Sequence, residues 1–125
     1  MTSTADIDRE VEAIVREIQV LWDRFTWGDL PYHTVGILKR YVFDGAPPGA
    51  FGYAVLTNDL MRSFAHADDA NSEAMPEICR AIYNGLPAAC HGTPAKVQHW
   101  INIGGARGHA RELIAARKPA DDTEL

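Results

Sequence analysis

The stretch IDREVEAIVREIQVLWDRF, residues 7–25, decides the fold class. Its apolar residues recur at alternating spacings of four and three, the a/d pattern of an amphipathic helix. These residues are Ile7, Val11, Ile14, Ile18, Leu21 and Phe25. Thr4 or Asp6 is suited to cap the start of the helix, and Gly28 marks its end. We predict a long helix within residues 1–28 whose stripe packs on its own domain or associates with a second copy of the chain.

Glycine and proline residues divide the middle of the chain into three further predicted helices. The first covers residues 31–43 and stops at Gly45. The second covers residues 49–67 and is apolar almost all round, which is typical of a central helix. The third begins at a Ser72 cap and ends at an Asn84-Gly85 left-handed stop. Its inward face is predicted to hold Met75, Ile78, Cys79, Ile82 and Tyr83.

Two shorter helices are predicted near the C-terminus. Thr93-Pro94 is an N-cap followed by Pro at the first helical position, and this helix halts at Gly104-Gly105. A last helix covers residues 106–117, and the acidic tail, residues 119–125, is expected to fray. No stretch alternates polar and apolar residues as a strand does. We therefore predict a single all-α domain over residues 1–125, a compact bundle of five to six helices.

Composition excludes several classes of protein. The chain has 125 residues, a net charge of −5 and two cysteines, too few for a disulfide scaffold. The acidic balance disfavours nucleic-acid binding, although residues 94–118 are locally basic. The polar start is unlike a signal peptide, and no apolar run approaches membrane-spanning length. We expect a cytoplasmic protein with no membrane partner.

A glycine-rich segment, IGGARGHAR at residues 103–111, is the first candidate binding site. Glycines allow backbone N–H groups to face an anion, and two arginines one helical turn apart can clamp a phosphate. The predicted ligand-binding residues of this segment are Gly104, Gly105, Arg107, Gly108, His109 and Arg111. The segment lacks a Walker ending and follows no strand. The alternative is a hinge between two helices with solvated arginines.

Two other pairs are candidate ligand-binding residues. Asn58 and Asp59 interrupt an apolar run, so at least one is expected in packed surroundings, as the polar floor of a pocket. The structural alternative is that Asp59 caps a neighbouring helix or pairs with an arginine such as Arg40 or Arg62. Trp27 and Tyr32 flank the first turn and could stack a base, with loop packing as the alternative.

The sequence contains no recognisable catalytic or metal-binding set. The histidines lack the spacing of zinc ligands, and Cys90 and His91 are adjacent, whereas a catalytic thiol and imidazole usually come from distant positions. We expect no metal, no cofactor and no catalytic residue, and therefore a protein that is not an enzyme.

One pattern carries a resemblance. Residues 41–51, residues 54–60 and Ala67-Asp68 with Asn71 combine with the later Tyr83-Asn84, Pro87, Gly92-Thr93-Pro94 and Trp100. This pattern, over residues 31–100, resembles a group of small proteins of unassigned role encoded in bacteriophage and prophage genomes. The resemblance implies phage origin and a role in the bacterial cytoplasm. Small phage accessory proteins often counter host defence, and some are all-α oligomers that sequester cyclic nucleotide signals.

These observations lead to two functional hypotheses. The first is a non-enzymatic phage accessory protein that counters host defence by binding and sequestering a phosphate-bearing small molecule, either a cyclic nucleotide or an ADP-ribose-type signal. It would be a homo-oligomer associated through the N-terminal heptad helix. The alternative is a protein-interaction inhibitor or adaptor that binds a host protein directly.

Overall fold

The computed structural model describes the backbone of residues 3–122 and the side chains of residues 3–117. This part of the chain contains eight α-helices, one 3₁₀ turn and no strand. The elements are α1 (Thr4–Arg24), α2 (Tyr32–Asp44), α3 (Gly49–Leu56), α4 (Leu60–His66), α5 (Asp69–Glu73), α6 (Met75–Gly85), the 3₁₀ turn (Ala88–Cys90), α7 (Pro94–Asn102) and α8 (Ala106–Asp122). The all-α class and the long N-terminal helix are confirmed, but the helices outnumber the predicted five to six. The last helix, α8, continues to Asp122, beyond its predicted end at residue 117, so the expected fraying is wrong for residues 119–122, and residues 123–125 lie outside the described residues.

The prediction of one helix over residues 49–67 is wrong, because this segment forms two helices, α3 and α4. Asn58 has a φ of +66°, and a residue in this left-handed region ends a right-handed helix. Asp59 then caps α4 by accepting a hydrogen bond from the backbone N–H of Arg62 at 3.1 Å. The segment is also not central over its whole length, since Leu60 and Met61 of α4 are 62% and 79% exposed.

The predicted helix after residue 72 also begins earlier and is divided. Asp68, not Ser72, is the N-cap of α5, and α6 follows directly after Ala74. Gly85 lacks the predicted left-handed conformation and ends α6 packed against Phe25 and Trp27. Met75, Ile78 and Ile82 are buried as predicted, whereas Cys79 and Tyr83 are exposed. Successive residues of an α-helix are rotated by about 100° around its axis. Cys79 and Tyr83 each follow a buried isoleucine, so their side chains point away from the core.

The N-terminal helix packs chiefly along α8 of the same chain. Its cap is Ser3 rather than Thr4 or Asp6, since the Ser3 hydroxyl accepts from the Asp6 N–H at 3.1 Å. Val11 is buried with Ala110 and Ile114 of α8. Further along α1, Ile18 and Trp22 enter the main core. Much of the heptad stripe is therefore covered within the chain, which is the first of the two predicted arrangements, and self-association stays a prediction.

A buried pair of aromatic residues ties α2 to α7 and to the 3₁₀ turn. The indole N–H of Trp100 lies 3.1 Å from the carbonyl oxygens of both Tyr41 and Val42. The hydroxyl of Tyr41 donates to the Cys90 carbonyl at 2.6 Å. Because these buried polar groups satisfy one another, the three elements are held in a defined arrangement.

None of the helices in the described part of the chain is both long and apolar enough to span a bilayer.

Two candidate binding grooves

The glycine pair of the predicted anion loop closes the end of α7. Gly104 and Gly105 have φ angles of +84° and +80°, and their N–H groups donate to the carbonyls of Ile101 and Trp100. Gly105 is also in close contact with the end of α2, where a Cβ on it would lie 2.5 Å from the Gly45 nitrogen. Both N–H groups are thus used inside the protein, so the pair acts as the hinge that docks α8 against α2.

The remaining residues of the loop face different directions. Gly108 is buried against the carbonyl of Ile103. The half-buried ring of His109 packs on Trp100 with centroids 4.9 Å apart, and burial lowers its pKa. Arg111 lies exposed on α8 and does not line the groove that Arg107 lines.

Arg107 instead joins a groove between α1, α2 and the start of α8, which we call the basic groove. Its volume is about 510 Å³. It is lined by Val15, Gln19, Gly36, Lys39, Arg40, Phe43, Asp44 and Arg107. Three of these eight residues are cationic and one is anionic, although the protein as a whole is acidic. Only Arg107 of the ten predicted ligand-binding residues lines this groove, and the basic residues of α2 were missed as site residues because they come from a different helix.

The charges of the basic groove are only partly neutralised. Arg107 donates to the carboxylate of Glu12 on α1, which lowers the pKa of Glu12 and raises that of Arg107. Both side chains are about half exposed, so solvent screens their attraction. A guanidinium has five donors, and Arg107 can therefore contact Glu12 and a bound anion together. Val15 and Phe43, both half-buried, give the groove an apolar wall.

Asn58 and Asp59 do not form a buried polar floor. Asp59 caps α4 and pairs with Arg62 at 3.4 Å, which is the structural alternative foreseen for it. Asn58 is exposed and Asp59 is only half-buried. Neither residue is tightly packed, contrary to the expectation for at least one of them. Asn58 does line a groove, but on a different part of the surface from Arg107.

Trp27 and Tyr32 have different surroundings. Trp27 stacks on Trp22 with ring centroids 3.9 Å apart, and its indole N–H donates to the Trp22 carbonyl at 2.8 Å. It serves loop packing, the alternative considered for it. Tyr32 is 93% exposed and lines neither the basic groove nor the groove beside Asn58.

The groove beside Asn58 lies between the end of α3, α6 and the segment that joins the 3₁₀ turn to α7. We call it the histidine groove, after His91. Its volume is about 480 Å³. Its lining is mainly apolar and consists of Val55, Leu56, Asn58, Cys79, Ile82, Tyr83, Ala88, His91, Gly92 and Lys96. His91 was not predicted as a ligand-binding residue, because no periodic pattern in the sequence connects it to Asn58 or Lys96.

The two cysteine thiols at or next to this groove are not suited to act as nucleophiles. Cys90 is fully buried, and burial raises the pKa of its thiol to about 12, so it is not a thiolate at neutral pH. Burial likewise raises the pKa of Cys79. Within the described residues, no group of three or more His, Cys, Asp and Glu side chains is arranged to hold a metal ion.

Comparison with known proteins does not add to these observations. No protein family, curated protein or solved structure matches the chain. The functional interpretation therefore depends on the two grooves.

Proposed function

We propose that the chain is a non-enzymatic binding protein that holds a phosphate-bearing small molecule in the basic groove. The observation that carries this proposal is the convergence of Lys39, Arg40 and Arg107 on one groove of a protein with a net charge of −5. Arginine recognises phosphate through paired N–H donors, and lysine adds a point charge. Phe43 and Val15 provide the surface on which a base or sugar lies.

The dimensions of the groove agree with a small ligand rather than a polymer. Its volume of about 510 Å³ falls inside the range of roughly 300–1,000 Å³ that is usual for small-molecule sites. Gly36 and Arg40 are four residues apart on α2, so they line the groove from the same face of this helix.

The resemblance to phage-encoded proteins suggests the biological setting. In this proposal the ligand is a cyclic nucleotide or an ADP-ribose-type signal of host defence, and the protein removes it by tight binding without turnover. Sequestration requires only affinity and abundance, which agrees with a site made of charged and apolar side chains. A homo-oligomer in the bacterial cytoplasm remains part of the proposal.

Calorimetric titration with cyclic AMP, a cyclic dinucleotide and ADP-ribose tests the proposal. We expect saturable binding of at least one of them, weakened about tenfold by Arg107→Gln and again by Lys39→Gln. Arg62→Gln is the matched control, since Arg62 is an exposed arginine of α4 outside the basic groove. The proposal is wrong if none of the three binds at about 1 mM, or if the control weakens binding as much as Arg107→Gln.

One observation favours the alternative, a protein that binds a host protein. Leu60, Met61 and Phe64 are 62%, 79% and 48% exposed, and their spacing puts them on one face of α4. A stoichiometric complex captured from host lysate, and lost in Met61→Glu with Arg107→Gln unaffected, would favour this function. The same complex lost in Arg107→Gln would instead indicate that the basic groove meets a protein.

A further inference from the structure

The histidine groove contains a buried polar atom without a partner. Nε2 of His91 is closed off from solvent and has no hydrogen-bond partner among the described residues. Such atoms are rare in folded proteins because the lost hydrogen bond to water is not replaced. His91 is one of the residues that line the groove. A half-turn of the ring about its Cβ–Cγ bond exchanges Nε2 with Cε1, so the nitrogen can reorient without backbone movement.

The backbone on both sides of His91 is fixed. The carbonyl of Cys90 accepts the Tyr41 hydroxyl at 2.6 Å, and the N–H of Cys90 donates to Pro87 at 3.0 Å. After the histidine, the N–H of Gly92 donates to the Leu56 carbonyl at 2.7 Å. Because these bonds hold the segment, the imidazole cannot move to another part of the protein to satisfy Nε2. A half-turn of the ring is therefore the movement that can bring this nitrogen to a partner, and a ligand in the groove that His91 lines would supply one.

The charge of the groove is a single cation. Lys96 lies in the first turn of α7, with its ammonium 3.4 Å from the Ala88 carbonyl. Burial, and secondarily the charge of Lys96, lowers the pKa of His91, so the imidazole is neutral at neutral pH and has one N–H donor. No Asp or Glu among the described residues lines the groove. The rest of the lining is mainly apolar and includes Val55 and Ile82.

We propose that the histidine groove binds a small organic monocarboxylate with an aliphatic or aromatic body. The carboxylate pairs with the ammonium of Lys96 and accepts the N–H of His91, while the body lies on Val55, Ile82 and Tyr83. One negative charge matches the one cation, whereas a phosphate dianion would be left half-neutralised over an apolar wall. The amide of Asn58, at the rim of the groove, offers a further donor.

This site is independent of the basic groove. No residue lines both, and the two grooves differ in charge and in their apolar content. A monocarboxylate could therefore bind whether or not the basic groove takes a phosphate-bearing molecule. The two proposals can fail separately.

Titration of histidine-labelled protein with phenylacetate tests the inference by nuclear magnetic resonance. The expected result is saturable binding that moves the ring nitrogen resonances of His91, which are assigned by their loss in His91→Gln. Phenylacetamide, which has the same body without the charge, should bind at least about tenfold more weakly. Lys96→Gln should weaken phenylacetate binding by a similar factor, and Arg62→Gln, which removes an exposed cation that lines neither groove, should leave it unchanged.

The opposite results overturn the inference. These are no saturation at about 10 mM phenylacetate, equal binding of phenylacetamide, or saturable binding that leaves the resonances of His91 unmoved. Lys96 is exposed, so Lys96→Gln is expected to fold, and a circular-dichroism melt equal to that of the unaltered chain verifies this. Unchanged phenylacetate binding in a folded Lys96→Gln variant also overturns it.

Discussion

The basic groove and the histidine groove are nearly equal in volume, but they are built in different ways. The basic groove has its cations at the ends of long, exposed side chains on two helices. The histidine groove has its polar group on a short segment held by buried hydrogen bonds to Tyr41 and Leu56. Exposed charges attract a ligand at long range and are screened by salt, whereas a fixed and partly desolvated group selects it by geometry. One small helical domain can thus offer two sites of different chemistry.

The largest expected effect concerns the support of the basic groove. In Gly105→Ala, the added methyl would lie 2.5 Å from the Gly45 nitrogen at a φ of +80°, so α8 must move away from α2. We expect a loss of about 3 kcal/mol or more in the free energy of unfolding, from overpacking and backbone strain together.

Gly104→Ala is the matched control for this prediction. Gly104 has a similar φ of +84°, but nothing lies within 4 Å of its added Cβ, so only the backbone cost of about 1–2 kcal/mol is expected. Urea denaturation of both variants measures the difference. Equal losses would mean that the close approach of Gly105 to α2 does not hold the groove together.

The next effect concerns the fixed segment of the histidine groove. Tyr41→Phe leaves the buried Cys90 carbonyl without its donor, which we expect to cost about 1–3 kcal/mol of stability. Faster hydrogen exchange at the Gly92 amide should accompany this loss. Tyr83→Phe, at a side chain that is 79% exposed, is the control and should change neither quantity. If the two variants behave alike, the Tyr41 hydroxyl does not fix the segment that carries His91.

A smaller effect distinguishes the grooves by charge. Glu12→Gln removes the carboxylate that pairs with Arg107. We therefore expect phosphate-bearing ligands to bind a few-fold more tightly in the basic groove, while phenylacetate binding stays the same. Raising NaCl from about 50 to 500 mM should weaken the first interaction more than the second. Calorimetry at both salt concentrations measures this, and weaker phosphate binding in Glu12→Gln would contradict the account.

The smallest effect is a dependence of stability on pH. Burial lowers the pKa of both His91 and His109 from the ordinary value of 6.5; His109 also has Glu112 and His99 nearby. Between pH 6.5 and the lowered values, the unfolded chain binds more protons than the folded one. Stability should therefore fall as the pH drops below about 6.5.

Denaturation midpoints at about pH 7.5 and 5.5 measure this dependence. His91→Gln should reduce the drop, whereas His66→Gln, at an exposed position on α4, should leave it unchanged. A drop that is the same in His91→Gln as in the unaltered chain would show that burial of this imidazole does not contribute.

The parts of the fold that could be predicted from the sequence are those set by apolar periodicity and by strong caps. The stripe of α1 and the Thr93-Pro94 start of α7 are examples. The break at Asn58 was missed because apolar residues continue on both sides of it, although Asn tolerates the left-handed conformation and Asp59 is a favoured N-cap residue. Likewise, the apolar residues of α4 indicated a central helix, but they lie at the surface.

The candidate sites were harder to predict than the fold. Arg107 was identified from its glycine-rich surroundings, yet the glycines serve to dock α8, and the groove is completed by Lys39 and Arg40 from α2. His91 acquires its significance from burial and from the unpaired Nε2, and Lys96 from lining the same groove, and none of these features has a pattern in sequence. Helix periodicity reports which face is buried but not which side chains from separate helices share a groove.

The most direct test of two separate sites is a crossed calorimetric titration of Arg107→Gln and Lys96→Gln. The ligands are phenylacetate and whichever of cyclic AMP, a cyclic dinucleotide and ADP-ribose binds the unaltered chain most tightly. We predict that Arg107→Gln weakens binding of the phosphate-bearing ligand only, and that Lys96→Gln weakens binding of phenylacetate only, each by about tenfold. A result in which either variant weakens both ligands equally, or neither ligand, would contradict the account.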